Sequence, residues 1–425
     1  MSEKGAITLV ETLTKVSTQN RRMSAKIADT LVSECRDGNH PKIAGKWGYV
    51  AGMTLLALER AAVWNSEPRY SELVLHHMDG LIDKDGTIRN YQLEDYNLDM
   101  INEGKNLFSM WKRTGEEKYH QAILRLVVQL KGQPRTSEGG FWHKKIYPFQ
   151  MWLDGIYMSS PFLAEYGRVF DHPESFDEVA RQILLIERKT RDPRTGLLHH
   201  AWDESREQRW CDKETGQSFH VWGRAMGWYA MAVVDALEHF PMDHSQRGQI
   251  MGIFERMAYA IAHAQDQESG LWYQVMDQNG REGNYLEASA SCMMTYALAK
   301  GQRLHYLAEL DRKVVDRAYA GILSRLVTED EQGVHLHCIC HGAGLGGKKY
   351  RDGSYAYYIS EQIVSDAQMG VAQSCWPVLK WRCGEQGKCE EIKRNSCGQT
   401  RKKQDASKVS RFMVEGDVAG GASFR

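Results

Sequence analysis

The sequence predicts an all-α protein, a closed toroid of about six helical hairpins with short β-turn loops at one end. Three observations predict it. Apolar residues recur with helical spacing over about a dozen segments, strand-like alternation is confined to short pieces, and a Gly-centred turn returns once per helix pair.

The helical segments fall near residues 21–35, 47–64, 68–81, 98–113, 117–131, 148–167, 175–188, 220–239, 246–264, 286–300, 308–327 and from 360 onward. Leu55, Leu58 and Ala62 show the spacing in the second of them. The recurring turn reads Asp85-Gly86-Thr87-Ile88, Gly139-Gly140-Phe141-Trp142-His143, Thr195-Gly196-Leu197-Leu198-His199-His200, Ser269-Gly270-Leu271-Trp272-Tyr273 and Gln332-Gly333-Val334-His335. Its period, roughly fifty to seventy-five residues, is one helix pair with its loops. Stacked hairpins either stay open as a solenoid or close into a ring, and the near-neutral, compact composition favours closure. The Gly-turn loops then emerge at one end, where loops carry function, and bring His143 and His200 toward one cavity. Residues 1–370 are assigned to the toroid. From 371 to 425 the pattern dissolves into polar, Lys/Arg-rich and Gly-rich sequence with little to bury, which predicts a poorly ordered tail.

Among the 425 residues, 54 Lys and Arg nearly cancel 55 Asp and Glu. No broad basic surface argues for nucleic acid or an anionic membrane, so the expected partner is a small molecule. No stretch approaches the roughly 18 apolar residues of a membrane helix. The start lacks a charged region followed by an apolar run, so the chain reads as cytoplasmic. Nine cysteines, an odd number with no Cys-x-x-Cys pair, support neither a disulfide framework nor a zinc site. No metal and no cofactor is expected.

One acid stands out. Asp154 lies among Trp142, Tyr147, Phe149, Trp152 and Tyr157. Desolvation in such company raises a carboxyl's pKa and lets it hold a proton near neutral pH, as a general acid does. Rings such as Tyr147 and Trp152 beside a polar group suit a sugar. A buried helix whose one acid bonds to the backbone would read the same way. Asp99 follows Asn97, a plausible N-cap that puts it in a first helical turn, where the ionised form is favoured. The two acids thus form a candidate pair of opposite protonation preference. Simple helix-start chemistry also accounts for Asp99. In Trp222-Gly223-Arg224-Ala225-Met226-Gly227-Trp228 the cation and the second indole are four apart and share a helix face, so the guanidinium is expected on Trp228 with its fork free for a carboxylate. His199-His200-Ala201-Trp202-Asp203 has no metal-ligand spacing, and hydrogen bonding to substrate or a neighbouring acid is the better reading. Glu287, Ser289 and Ser291 read as a helix cap. Gly342-Ala343-Gly344-Leu345-Gly346-Gly347 lacks the flanking strand and helix of a phosphate loop and reads as a loop near the cavity.

Together these motifs resemble the unsaturated rhamnogalacturonyl hydrolases, glycoside hydrolase family 105, and more distantly the unsaturated glucuronyl hydrolases. The resemblance rests on Thr136 through His143, Tyr147-Pro148 with Gln150-Met151-Trp152-Leu153-Asp154-Gly155, His200-Ala201-Trp202-Asp203, Trp222-x-Arg224-x-x-Gly227-Trp228 and Gly270-Leu271-Trp272-Tyr273-Gln274. It runs from about Trp47 to Gly370. It implies an (α/α)6 barrel and release of the unsaturated galacturonyl residue from the non-reducing end of rhamnogalacturonan oligosaccharides, by hydration of its C4=C5 double bond. By the same resemblance Asp154 matches the acid/base, Asp99 the assisting carboxylate, and His143, His200, Trp222, Arg224 and Trp228 substrate-binding positions. The chain departs from the family after Ser365-Asp366, where Pro377 falls in the place of an apolar helix. An unsaturated glucuronyl hydrolase, a conventional inverting glycosidase using Asp99 and Asp154, and a non-catalytic oligosaccharide-binding toroid remain as alternatives.

Overall fold

The computed structural model describes residues 23–33 and 45–367. The tail expected over 371–425 lies outside the described residues. Among the described residues, twelve α-helices alternate between an inner and an outer ring. The inner set is α2 (Tyr49–Asn65), α4 (Lys105–Thr114), α6 (Leu153–Val169), α8 (Gly223–Leu237), α10 (Ala288–Arg303) and the short α12 (Tyr355–Ser360). The outer set is α1 (23–33), α3 (Pro68–Leu81), α5 (Glu117–Gly132), α7 (Glu174–Thr190), α9 (Arg247–His263) and α11 (Lys313–Gly321). Each inner helix from α2 to α10 packs against the outer helix that follows it, and α8 packs against both α6 and α10.

The split follows from sequence. Helices α6, α8 and α10 are apolar or small nearly all round, the signature of an element surrounded by protein, and every residue of α8 is buried. Outer helices such as α7 bury one stripe only. Gly227 lets α8 approach α10, because a Cβ there would stand 2.7 Å from that of Met293. Helix α1 bridges the first and last hairpins. Its Asp29 accepts from Tyr70 Oη at 2.7 Å, and its Thr30 hydroxyl accepts from the Val334 amide at 3.1 Å.

Most expected helices form within a few residues of the expected bounds. Three segments differ. The 98–113 segment opens as 3₁₀ turns at Leu98–Met100 and Asn102–Gly104 before α4. The first residues of the 148–167 segment are strand β1 (Gln150–Trp152), paired antiparallel with β2 (Ala201–Asp203). No helix follows residue 360 within the described residues: α12 ends there, and Ile363–Val364 (β6) pairs with Ile339–Cys340 (β5), a use of β-branched residues that helical periodicity does not register. Val327–Asp330 (β3) and Gly333–Leu336 (β4) form a third two-stranded sheet, a hairpin. No helix of the described residues is long and apolar enough to cross a membrane.

The far end of the inner ring holds buried charge. Asp235 accepts from Lys300 Nζ at 2.5 Å and Tyr296 Oη at 2.7 Å and pairs with Arg60 at 3.3 Å, so helices α2, α8 and α10 are tied together. Burial opposes its charge, but Lys300 and Arg60 hold the carboxyl well below the usual range. Beside it a cavity of about 900 Å³ is lined by Arg60, Trp64, Phe108, Glu165 and Tyr296, among others, and burial pushes Glu165 up to about 7.

A proline explains one member of this region. Pro161 lies inside α6 and has no N–H to give the Tyr157 carbonyl four residues back. Lys105 Nζ donates to that carbonyl at 2.8 Å and to Asn102 Oδ1 at 2.6 Å, over the Tyr157 ring. Lys105→Met should therefore cost about 1–3 kcal/mol, the penalty of an unsatisfied buried group. Pro161→Ala, by restoring the helical donor, should recover part of that cost when the two are combined. Chemical denaturation of the four-member cycle measures the coupling, and strict additivity would contradict the pairing.

Candidate active site

The inner helices run the same way, and their N-terminal ends meet at one mouth. Strand β1 leads without a break into α6, with Gln150 opposite Asp203, Met151 opposite Trp202 and Trp152 opposite Ala201. The Leu153 amide donates to the His200 carbonyl at 3.1 Å, and the His143 amide to the Gln150 carbonyl at 2.8 Å. Two loops, α5–α6 and α7–α8, are thereby fixed to the first turn of α6, where Asp154 sits.

Asp154 is 14% exposed, and its Oδ2 lies 3.3 Å from His200 Nε2. Neither atom has a well-formed hydrogen bond, so the pair is a close contact of charge and ring. Burial pushes the Asp154 carboxyl up, but His200, and then His143, pull it net below its ordinary value. This corrects the expectation of an acid protonated at rest: the aromatic setting does desolvate it, and two imidazoles outweigh that effect.

Asp99 stands as expected after its cap, its amide donating to Asn97 Oδ1 at 3.1 Å. Its carboxylate is held by Lys144 Nζ at 2.5 Å and lies 3.5 Å from His143 Nε2. His143 packs closely on Gly155, next to Asp154, since a Cβ at Gly155 would meet its Nδ1 at only 3.0 Å, and its ring interacts electrostatically with both acids. Trp152 stacks on His143 at 4.7 Å and on Tyr147 at 5.1 Å, and its Nε1 donates to Gln150 Oε1 at 3.1 Å. His200 lies edge-on to Trp152 at 5.4 Å and beside Trp222 at 4.8 Å. Asp99, Asp154, His143, His200, Trp152, Tyr147 and Trp222 thus come together.

Arg224 reaches the same end, but its guanidinium is occupied. Nε donates to Ser289 Oγ at 2.7 Å, Nη2 donates to the Cys340 carbonyl, and Glu287 lies 3.5 Å away. It rests over Trp222, not Trp228, with 5.4 Å to the ring centroid. Trp228 is buried and stacks on Tyr157 at 4.8 Å. The expected Arg224–Trp228 pair therefore does not form: α8 is buried on all sides, and the Trp228 indole packs into the core on Tyr157 while Glu287 draws the cation to α10. Glu287 also caps α10, accepting from the Ser289 and Ala290 amides at 3.1 and 2.6 Å.

Sequence reading missed four residues. Tyr49 enters from the start of α2, where burial, Asp99 and Asp154 raise its hydroxyl pKa against the opposing Arg224. Lys144 binds Asp99. Gln274 accepts from Trp222 Nε1 at 3.1 Å and donates to the Tyr358 carbonyl at 3.3 Å. Tyr358, on α12, has its hydroxyl 2.8 Å from His200 Nδ1. Lys144 adjoins His143 and was the one most open to detection. The Gly342–Gly347 loop does lie near the site, since Leu345 packs with Trp152 and Trp210.

Comparison with known proteins shows the family and the fold. The family model described as Glycosyl Hydrolase Family 88 matches residues 23–379. An Agrobacterium fabrum protein is 42% identical over 221 residues, 50% of this chain and 94% of its own length. The unsaturated rhamnogalacturonyl hydrolase YesR of Bacillus subtilis is 30% identical over 249 residues, 56% of this chain and 67% of that protein. A solved family 105 glycoside hydrolase from C. acetobutylicum is 42% identical with a TM-score of 0.81, over 84% of this chain and 98% of that one. An unsaturated glucuronyl hydrolase from a Bacillus species, 13% identical with a TM-score of 0.61 over 88% of this chain and 100% of its own, shares the fold.

His143 yields a pH prediction. Burial lowers its pKa to about 4, with Asp99 opposing. An unfolded-chain histidine titrates near 6.5. Between about pH 6.5 and 4 the unfolded chain therefore takes up a proton that the folded ring refuses, and this contribution to stability is lost on acidification through that window. An NMR titration should find the His143 ring neutral down to about pH 4; a midpoint near that of a free histidine would contradict the burial argument.

Proposed function

The chain belongs to the family 88/105 glycoside hydrolases, the unsaturated glycuronyl hydrolases, and from that premise we propose that it releases the unsaturated galacturonyl residue from the non-reducing end of rhamnogalacturonan oligosaccharides. The carrying observation is the Asp154 carboxylate, 14% exposed and 3.3 Å from His200 Nε2 at an inner-helix N-terminus. The likeness to the Bacillus subtilis enzyme supports the choice of substrate. Pectin breakdown is the setting that this substrate implies. We read the compartment as cytoplasmic.

The reaction adds water across C4=C5. Asp154 gives its proton to C4, the developing positive charge is shared between C5 and the ring oxygen, and water adds at C5 as Asp154 takes up one of its protons. The product at C5 is a hemiketal. Its opening, followed by loss of the aglycone from C1, yields a keto uronic acid and a free sugar hydroxyl. Nothing is oxidised or reduced, and one water is consumed.

The resting site must be armed for the first step, since Asp154 lies below its ordinary pKa. A bound uronate does this: it brings a negative charge and expels water, and both raise the pKa of a neighbouring carboxyl. The converging helix N-termini favour the same anion. Trp152, Tyr147 and Trp222 supply ring faces for the sugar, and His143 and His200 supply polar contacts. Asp99, held by Lys144, assists as a fixed negative charge. Arg224 acts from beneath Trp222, with Glu287 as its partner; Trp228 is read as core.

Asp154→Asn keeps the volume but cannot donate a carboxyl proton. It should reduce turnover by about 10²- to 10⁴-fold, the usual worth of one acid/base, while thermal melting stays near that of the parent. Loss of the ultraviolet absorbance of the unsaturated sugar, followed over a panel of lyase-generated disaccharides and saturated glycosides, measures both activity and preference. Near-normal turnover by the variant would overturn the role of Asp154, and preference for a glucuronyl or saturated substrate would overturn the substrate.

A further inference from the structure

Tyr358 is buried completely, and among the described residues its hydroxyl has one hydrogen-bonding neighbour, His200 Nδ1 at 2.8 Å. Two arrangements fit that distance. Either the phenol donates to an unprotonated Nδ1, or Nδ1–H donates to the phenol oxygen and leaves the phenol's own proton without an acceptor. The second leaves a buried donor unmet, at a cost of about 1–3 kcal/mol. The first satisfies both groups. It also leaves the ring's proton on Nε2, the nitrogen that faces Asp154 Oδ2 at 3.3 Å. The far nitrogen's partner thus decides which face of an imidazole carries the proton.

We propose that Tyr358 is a positioning residue that fixes the His200 tautomer, so that an N–H and not a lone pair is presented to Asp154. The proposal rests on Asp154 being the acid/base. Its consequence is that the last inner helix sets the catalytic proton's surroundings. Ser354 caps α12 by accepting from the Tyr357 amide, Gln274 donates to the Tyr358 carbonyl at 3.3 Å, and the Tyr358 ring stacks on Trp222 with centroids 6.3 Å apart. The helix that completes the inner ring is therefore bolted to the ring systems of the site, and its phenol reaches Asp154 only through His200.

The charged and titratable groups around this relay are few. Asp154 faces it from α6, His143 from the loop before β1, Asp277 from the loop before α10, and Tyr357 and Arg351 from α12 and the segment ahead of it. With the phenol O–H removed, Nδ1 is free to take the ring proton, and a lone pair on Nε2 then faces the carboxylate. That contact is repulsive until Asp154 takes a proton and donates it to Nε2. The ionisation of Asp154 should accordingly move upward in pH.

The test has two arms. In the resting wild-type protein, nitrogen NMR of labelled histidine in weakly alkaline buffer should show His200 protonated on Nε2 only; an Nδ1–H tautomer or a doubly protonated ring would overturn the proposal. In Tyr358→Phe, the tautomer should shift toward Nδ1–H, and kcat should fall by about 10- to 100-fold, the scale on which partners of a functional histidine act. KM should change little, and the pH profile of kcat/KM should shift upward. Parent-like kinetics, with the parent pH profile, would overturn it as well. The wild-type spectrum needs neither substrate nor a folded variant, so failure of the tautomer is distinguishable from failure of the functional reading, which would appear as absence of turnover on every unsaturated uronide.

Discussion

The constraint on which the molecule depends is the common direction of its inner helices. Five long helices point their N-terminal ends at one mouth and their C-terminal ends at the other, so the toroid has two chemically different ends. At the first end unsatisfied amides and the positive ends of helix dipoles favour carboxylates, and Asp99, Asp154 and Glu287 all lie there. At the second end, carbonyl-rich termini favour cations, and Arg60, Arg168 and Lys300 gather there, with Asp235 neutralising part of their charge. A ring of antiparallel inner helices would have scattered these groups.

Within the first end, the acids are separated by their partners and not by their burial. Asp99 has an ammonium at 2.5 Å, whereas Asp154 has an imidazole at 3.3 Å and no firm hydrogen bond on Oδ2. A carboxylate locked to a lysine is a fixed charge; one in loose contact with a ring can gain or lose a proton without breaking a bond. The rings of Trp152 and Trp222 pack against the two histidines, while the Asp154 side chain stays 14% exposed. Arg224, which sequence reading would have offered to a substrate, instead keeps Glu287 paired, and an unpaired carboxylate there would be expensive.

Most of the fold was legible because its signals are local. The all-round apolar character of α6, α8 and α10, the Gly turns and the Asn97 cap can each be read over a few residues. What was not legible was non-local. The β1–β2 pairing joins residues about fifty apart, the Lys105–Tyr157 bond depends on a proline in another helix, and the role of Tyr358 depends on a histidine 158 residues away.

The sequence by itself determined the helical hairpins, their closed arrangement, the family, and Asp154 with Asp99, His143 and His200 as the groups that meet. Those features are carried by periodicity and by short motifs. Only the tertiary structure decided the protonation preference of Asp154, the side on which Arg224 finds its partner, the burial of Trp228, and the contact of Tyr358 with His200. A carboxyl's pKa depends on the balance between desolvation and charges a few ångströms away, and neighbouring residues in the chain reveal the first without revealing the second.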